Sequence, residues 1–248
     1  MDLDRDHGPF DPRLRRLRAG RIRAEARFLH RRAIDDLIER LSLVKGALAA
    51  AFVLGPDAEL SARLREAGLD VTEGEAGDLA GQPGRYDLIA SVGRLDTIND
   101  LPGALALARR ALKPEGLFLA AFAGAGNLPA LRRAMHAGED AEGRGTAPRI
   151  HPQIDVRAAG DLLQRAGFAL PVVDRDVVEV RYASLPQLVT DLRGMGATNQ
   201  LAGQSAPPFG RTGLAAAIAD FAAQAGADGR TAERFEIIHA SGWAAQPR

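Results

Sequence analysis

No cysteine occurs among the 248 residues. That absence excludes disulfides, a thiolate nucleophile, cysteine-ligated zinc and cysteine-held iron–sulfur clusters in this chain, and it fits a reducing, cytoplasmic location. Net charge is missing too: 32 basic residues balance 32 acidic ones. No overall field therefore draws the chain to nucleic acid, and no nucleic-acid partner is expected. Long hydrophobic runs are also absent. The longest, Ala47 to Leu54, is far too short to span a bilayer, and the acid-rich start from Met1 to Pro12 has no apolar run. Neither a secretion signal nor membrane insertion is expected. Lysine is nearly missing, with Lys45 and Lys113 the only two, while arginine, alanine, glycine and proline abound, the usage of a GC-rich bacterial genome. The five histidines, His7, His30, His136, His151 and His239, form no pair at metal-ligand spacing, so no metal site is expected. There is no P-loop and no G-x-S-x-G elbow.

What is present is a globular composition, 46% hydrophobic with charges mixed along the chain. From Arg13 to Arg32 nine arginines face a single acid, Glu25, and alternate with Leu14, Leu17, Ile22, Phe28 and Leu29. This pattern predicts one or two amphipathic helices whose arginines form either a solvated face or a docking face for an anion or protein. A further helix is expected over 33–43. Residues 1–46 thus read as an arginine-rich helical extension, and 47–248 as an α/β domain forming one globular unit with it.

The rhythm then changes. Ala49 to Leu54 is a short apolar run stopped by Gly55-Pro56-Asp57, after which Leu60, Leu64 and Ala67 recur at helical spacing. Short strands follow at 69–73 and 86–91. A helix is expected over 101–112, then a Lys113-Pro114-Glu115-Gly116 turn and a strand over 117–122. Helices 128–137 and 156–166 precede a strand at 172–182, helices 185–192 and 214–223, and a last strand at 235–239. Alternating strands and helices imply a Rossmann-like, mostly parallel sheet with helices on both faces.

In such sheets ligands lie beyond the carboxyl ends of the strands, against loop N–H groups and helix N-termini. The loop after the first strand is therefore the first candidate, with Gly55 and Asp57 as residues that could hold a cofactor. Gly55 stands alone where a glycine-rich turn is usual, and Pro56 has no N–H to donate, so an ordinary strand-to-helix turn is the competing reading. Glu73, 18 residues after Gly55, or Asp78 could supply the acid that holds ribose hydroxyls; a solvated acid explains either equally. Gly124-Ala125-Gly126 follows a strand and opens a helix, but Pro129 stands in place of a third glycine, so a tight packing turn competes with phosphate binding. Asp87, Asp96 and Asp100 are candidate acids or polar anchors, with helix capping as the simpler alternative.

Several strings are more specific. Phe10-Asp11, Tyr86-Asp87-Leu88-Ile89, Asn99-Asp100-Leu101-Pro102, Leu112-Lys113-Pro114-Glu115-Gly116-Leu117-Phe118, Asp191-Leu192-Arg193-Gly194-Met195-Gly196-Ala197-Thr198-Asn199 and Gly242-Trp243 occur in this order. Together they resemble the class I S-adenosylmethionine-dependent methyltransferase superfamily, in particular the group that includes a mitochondrial complex I assembly factor acting on arginine and the malonyl-carrier-protein methyltransferases. The resemblance implies a seven-stranded sheet with an antiparallel last strand and S-adenosylmethionine bound after the first, second and fourth strands. It implies cofactor roles for Gly55, Asp57, Glu73 or Asp78, Ser91 and Leu95. Asp96 or Asp100 would remove a proton from an acceptor, and Arg193, Met195, Thr198 and Asn199 would meet a substrate or protein partner, such as a respiratory complex I subunit.

The chain departs from this pattern in its loops. One glycine replaces the two or three expected after the first strand, and Gly74 to Gly84 is too short for a full helix and strand, so the sheet is expected to lack one βα unit. Leu69 to Glu73 fits either the second or the third strand of the family. A methyltransferase-family enzyme is one expectation, and a non-catalytic assembly or binding protein with a degenerate cofactor site is the other. Arg193-Gly194-Met195-Gly196 reads equally as a recognition element or as a helix-ending turn.

Overall fold

A computed structural model describes residues 8–143, 145, 148–203 and 207–245; His7 lies outside them. Six strands form one sheet: β1 (Ala50–Leu54), β2 (Asp70–Gly74), β3 (Tyr86–Val92), β4 (Leu112–Ala123), β5 (Phe168–Tyr182) and β6 (Thr231–Ala244). Their order is β2-β1-β3-β4-β6-β5. The first four are parallel, and β6 runs antiparallel between β4 and β5. Because β2 pairs directly with β1, Leu69 to Glu73 corresponds to the family's second strand. The trimmed unit is the one that would have added a strand outside it.

Apolar residues fill both faces because the strand period is two. On one face Phe52, Leu54, Ile89 and Phe118 pack under α4 (Leu101–Ala111) and α6 (Val156–Arg165). On the other, Ala51, Val53, Leu88 and Leu119 meet α3 (Ala58–Glu66) and α2 (Phe28–Ser42). The arginine-rich extension is therefore part of the core: Ala33, Ile34, Leu37 and Leu41, at helical spacing, are buried there. A third cluster packs α5 (Pro129–Ala141), α7 (Leu185–Gly194) and α8 (Arg211–Ala223) around Tyr182 and Phe235.

Capping explains where the helices start. Asp57, Asp100, Asp155 and Ser184 each accept from an N–H one turn on, and α1 (Pro12–Ala19) starts at Asp11 with proline at its first position. The Lys-Pro-Glu-Gly turn is a correction. The segment continues as strand from Leu112, with a register irregularity opposite Tyr86 and Leu88 and Glu115 at a φ of 61°. Asp87, a candidate acid or polar anchor in the sequence, is placed as an anchor. Its carboxylate accepts from the Ala49 and Ala50 N–H groups and from Lys113 Nζ at 2.8–3.2 Å. Burial pushes its pKa up, but these donors outweigh that and hold it below the ordinary carboxylate value.

Among the described residues no helix is long and apolar enough to cross a membrane.

Candidate functional site

A cavity of about 690 Å³ opens at the carboxyl ends of β1, β3 and β4, where the sheet topology places ligands. Its floor is Gly55 to Asp57, Glu75, Val92 to Arg94, Asp96 and Thr97. One wall is the N-terminal segment, with Arg15, Arg16, Ile22, Arg27 and His30. The opposite wall carries Met195 to Ala197 and Gln200, with His151 and Glu236 deeper in.

The two walls are tied together by the strings that were distinctive in the sequence. Asn99 brackets the Phe10 backbone, accepting from its N–H at 2.8 Å and donating to its carbonyl at 3.0 Å. Phe10 bridges Leu201, and the Asp11 N–H donates to the Gln200 carbonyl at 2.9 Å. The Arg23 N–H donates to the Gly194 carbonyl at 2.8 Å. Gly196 has a φ of 72°, and a Cβ there would lie 3.0 Å from Ile22. Arg193-Gly194-Met195-Gly196 therefore ends α7 and seats the N-terminal segment, and its Met195 and Gly196 line the cavity as well.

Asp57 starts α3 by accepting from the Leu60 N–H at 2.9 Å, and it also meets Arg27 at 2.8 Å and His30 Nε2 at 2.7 Å. Burial alone pushes its carboxyl pKa up; His30, the Leu60 N–H and Arg27 outweigh this and hold it well below the usual carboxylate range. Glu75 receives Arg94 at 2.8 and 3.0 Å and has Arg15 at 3.7 Å. Glu236 accepts from the Gly126 N–H at 3.0 Å and has Arg175 at 3.6 Å. The carboxylate of Glu236 occupies the glycine turn 124–126, where a Cβ on Gly124 would lie 2.5 Å from its Oε1, so the space for an external phosphate is filled by the chain itself.

Asp96 differs from these acids. Its side chain is 9% exposed, its ion-pair-distance neighbour is His151 with Nε2 at 3.8 Å, and Oδ1 has no hydrogen-bond partner among the described residues. His151 Nε2 and Gln200 Oε1 are likewise buried without partners, and both residues line the same cavity. An unmet buried acceptor costs about 1–3 kcal/mol, so this wall is built to be completed by hydrogen-bond donors.

Of the residues singled out in the sequence, Gly55, Asp57, Asp96 and Met195 come together around the cavity. The others lie apart from its lining. Glu73 faces Arg65 at 3.7 Å, and Asp78 closes a reciprocal cap with Glu75. Ser91 is fully buried and donates to the Leu54 carbonyl at 2.8 Å, while Leu95 packs in the core. Asp100 caps α4, and Arg193 points to solvent. Thr198 is outside the cavity lining, and Asn199 holds the Pro148 carbonyl at 2.6 Å. Sequence reasoning missed Glu75, His151 and Gln200 as a group. The signal available for Glu75 was its place just beyond the second strand.

S-adenosylmethionine does not fit the residues as they stand. A Cβ on Gly55 would lie 2.5 Å from Arg94 Cγ, so the arginine stem covers the one glycine over which a cofactor would pass. The Gly55 N–H is spent on the Gly74 carbonyl at 2.8 Å, and Pro56 has none. Among the described residues no group of three or more metal-ligating side chains could hold a metal ion.

No protein-family model matches the chain. It is 36% identical over 162 residues to "Arginine-hydroxylase NDUFAF5, mitochondrial" of Mus musculus, covering 65% of this chain and 47% of that protein. It is also 36% identical over 171 residues to malonyl-(acyl-carrier protein) O-methyltransferase of Xylella fastidiosa (strain M23), covering 69% of this chain and 56% of that protein. The chain thus spans about half the length of these curated relatives. Among solved structures, a putative methyltransferase from Bacillus halodurans C-125 matches with a TM-score of 0.53 at 12% identity, covering 86% of this chain and 99% of the other. A putative type II methyltransferase from Anaeromyxobacter dehalogenans matches with a TM-score of 0.51 at 17% identity, covering 86% and 97%. The chain is a homologue of these enzymes and carries the class I S-adenosylmethionine-dependent methyltransferase fold.

Proposed function

We propose, from this kinship, that the chain is a methyltransferase-family protein that captures an arginine side chain of a protein partner in the cavity, as an assembly or modification factor. The observation that carries the reading is Asp96. Each other carboxylate lining the cavity, Asp57, Glu75 and Glu236, has an arginine of the chain within 4 Å. Asp96 has no arginine so placed among the described residues, only His151. A guanidinium presents N–H donors in a planar fork that suits a carboxylate, with donors left over for a carbonyl such as Gln200 Oε1. The NDUFAF5 relatives are named for a reaction on arginine. A respiratory complex I subunit, the partner implied by the sequence resemblance, is the candidate owner of that arginine.

S-adenosylmethionine-dependent methyl transfer is the second reading, favoured by the position of the cavity at the strand ends of a methyltransferase fold, and it requires the Arg94 stem to leave Gly55. In that reading Asp96 is the group placed to accept a proton from the acceptor.

Thermal unfolding with a blocked arginine tests the first reading. At about 100 times its dissociation constant the ligand adds about 2.7 kcal/mol to wild-type stability. Asp96→Asn keeps the shape and loses the charge, so it should lose this gain. An equal gain in Asp96→Asn would contradict the role given to Asp96.

A further inference from the structure

We propose that Arg94 is a resident occupant of the nucleotide end of the cleft, so that the chain's own side chain, held by Glu75, excludes the cofactor of the fold family. The turn that delivers it is set by Gly93, whose φ of 66° favours glycine. From there the Arg94 stem lies on Gly55, with Cβ and Cγ at 2.8 and 2.5 Å from where a Cβ on Gly55 would stand. The guanidinium bonds Glu75 through Nε and Nη2 at 3.0 and 2.8 Å and reaches the Thr97 hydroxyl at 3.5 Å. Only 9% of the side chain is exposed.

The same pair uses two features that a ribose-bearing ligand needs: the open backbone after β1 and the acid just beyond β2. An incoming nucleoside must therefore displace an arginine that is mostly buried and is held by a half-exposed carboxylate. Its apparent affinity falls in proportion to the small fraction of molecules in which Arg94 has swung away. Asp57 offers no substitute contact, because Arg27 and His30 already hold it. The inference is independent of the reading given to Asp96, which is tested with a different ligand.

The experiment is thermal unfolding of the full chain with S-adenosylhomocysteine, in the wild type and in Arg94→Ala, Arg94→Met and Glu75→Gln. Arg94→Ala clears Gly55 and should gain a rise in midpoint of about 5–10 °C when the ligand reaches 100 times its dissociation constant. The wild type should show no rise at millimolar ligand, and Arg94→Met, which keeps a stem but loses the tie to Glu75, should show a smaller rise than Arg94→Ala. Glu75→Gln frees the guanidinium and should show a smaller rise than Arg94→Ala. A rise in the wild type equal to that of Arg94→Ala overturns the proposal, and so does a folded Arg94→Ala with no rise. If Arg94→Ala does not fold, Arg94→Ser, which also clears Gly55, decides, and a folded Arg94→Ser with no rise overturns it.

Discussion

Removing the Asp57 carboxylate should destabilise the protein more than any other single change at the cavity floor. The side chain is 10% exposed and joins two elements: it caps α3 and binds Arg27 and His30 at the start of α2. Losing a cap costs about 1 kcal/mol. Losing a charge-assisted bond from a mostly buried cation costs about 1.5–3 kcal/mol. Asp57→Ala should therefore lose about 2.5–4 kcal/mol in urea unfolding, and at about 2–4 °C per kcal/mol its thermal midpoint should fall by about 5–16 °C. Asp57→Asn retains a capping oxygen and loses only the charge, so it should fall between the two. Because the folded carboxyl is held below its ordinary pKa, its stabilisation is complete at neutral pH. It fades as the pH drops below about 4, the unfolded value, and the slope should flatten in Asp57→Asn. A loss under about 0.5 kcal/mol in Asp57→Ala, the range of ordinary surface changes, would refute the claim that this carboxylate binds the N-terminal segment to the sheet.

Three other sites give separate expectations. Glu233 accepts from the Ala130 and Leu131 N–H groups at 3.2 and 2.8 Å, at the left-handed start of α5; Glu233→Ala should cost about 2–4 kcal/mol in urea unfolding, and Glu233→Gln, which keeps an acceptor, about half. Gly196→Ala should cost about 1–2 kcal/mol, through its φ of 72° and the approach to Ile22, and should speed limited proteolysis between α1 and α2. His239 faces Asp36 at 2.9 Å, with Arg40, Asp174 and Asp176 nearby, and burial leads in pushing its pKa down. A depressed folded pKa means stability is full above about 6.5 and lost as the pH falls through the folded value. The thermal midpoint should therefore drop between pH 7.5 and 5.5 in the wild type and drop less in His239→Gln.

The fold could be read from the sequence where its signals are local. Apolar runs such as Ala51 to Leu54 mark buried strands, and Asp57, Asp100 and Asp155 announce the helices they cap. The short span between Gly74 and Gly84 foretold the missing βα unit, and the sheet indeed has six strands. The strand lengths were less legible. β6 runs from Thr231 to Ala244, beyond the expected 235–239, because pairing with β5 along its length and with β4 from Ile237 to Trp243 carries it through polar residues such as Glu233 and Ser241.

The site was less legible for the same physical reason. Arg94 meets Glu75 across 19 residues and Arg27 meets Asp57 across 30, separations set by the sheet and not by any period in the chain. Asn99 and the Arg-Gly-Met-Gly string stood out as motifs, yet their contacts hold the N-terminal segment in place. His151 carried no metal-ligand spacing, and only the fold brings it to Asp96.

Calorimetric titration of the full chain with a short peptide containing arginine, and with the same peptide containing citrulline, tests the central claim most directly. Citrulline keeps the length and planarity of arginine and removes the charge. The account predicts heat of binding for the arginine peptide alone, abolished by Asp96→Asn. Equal binding of the two peptides, or binding of neither, would contradict it.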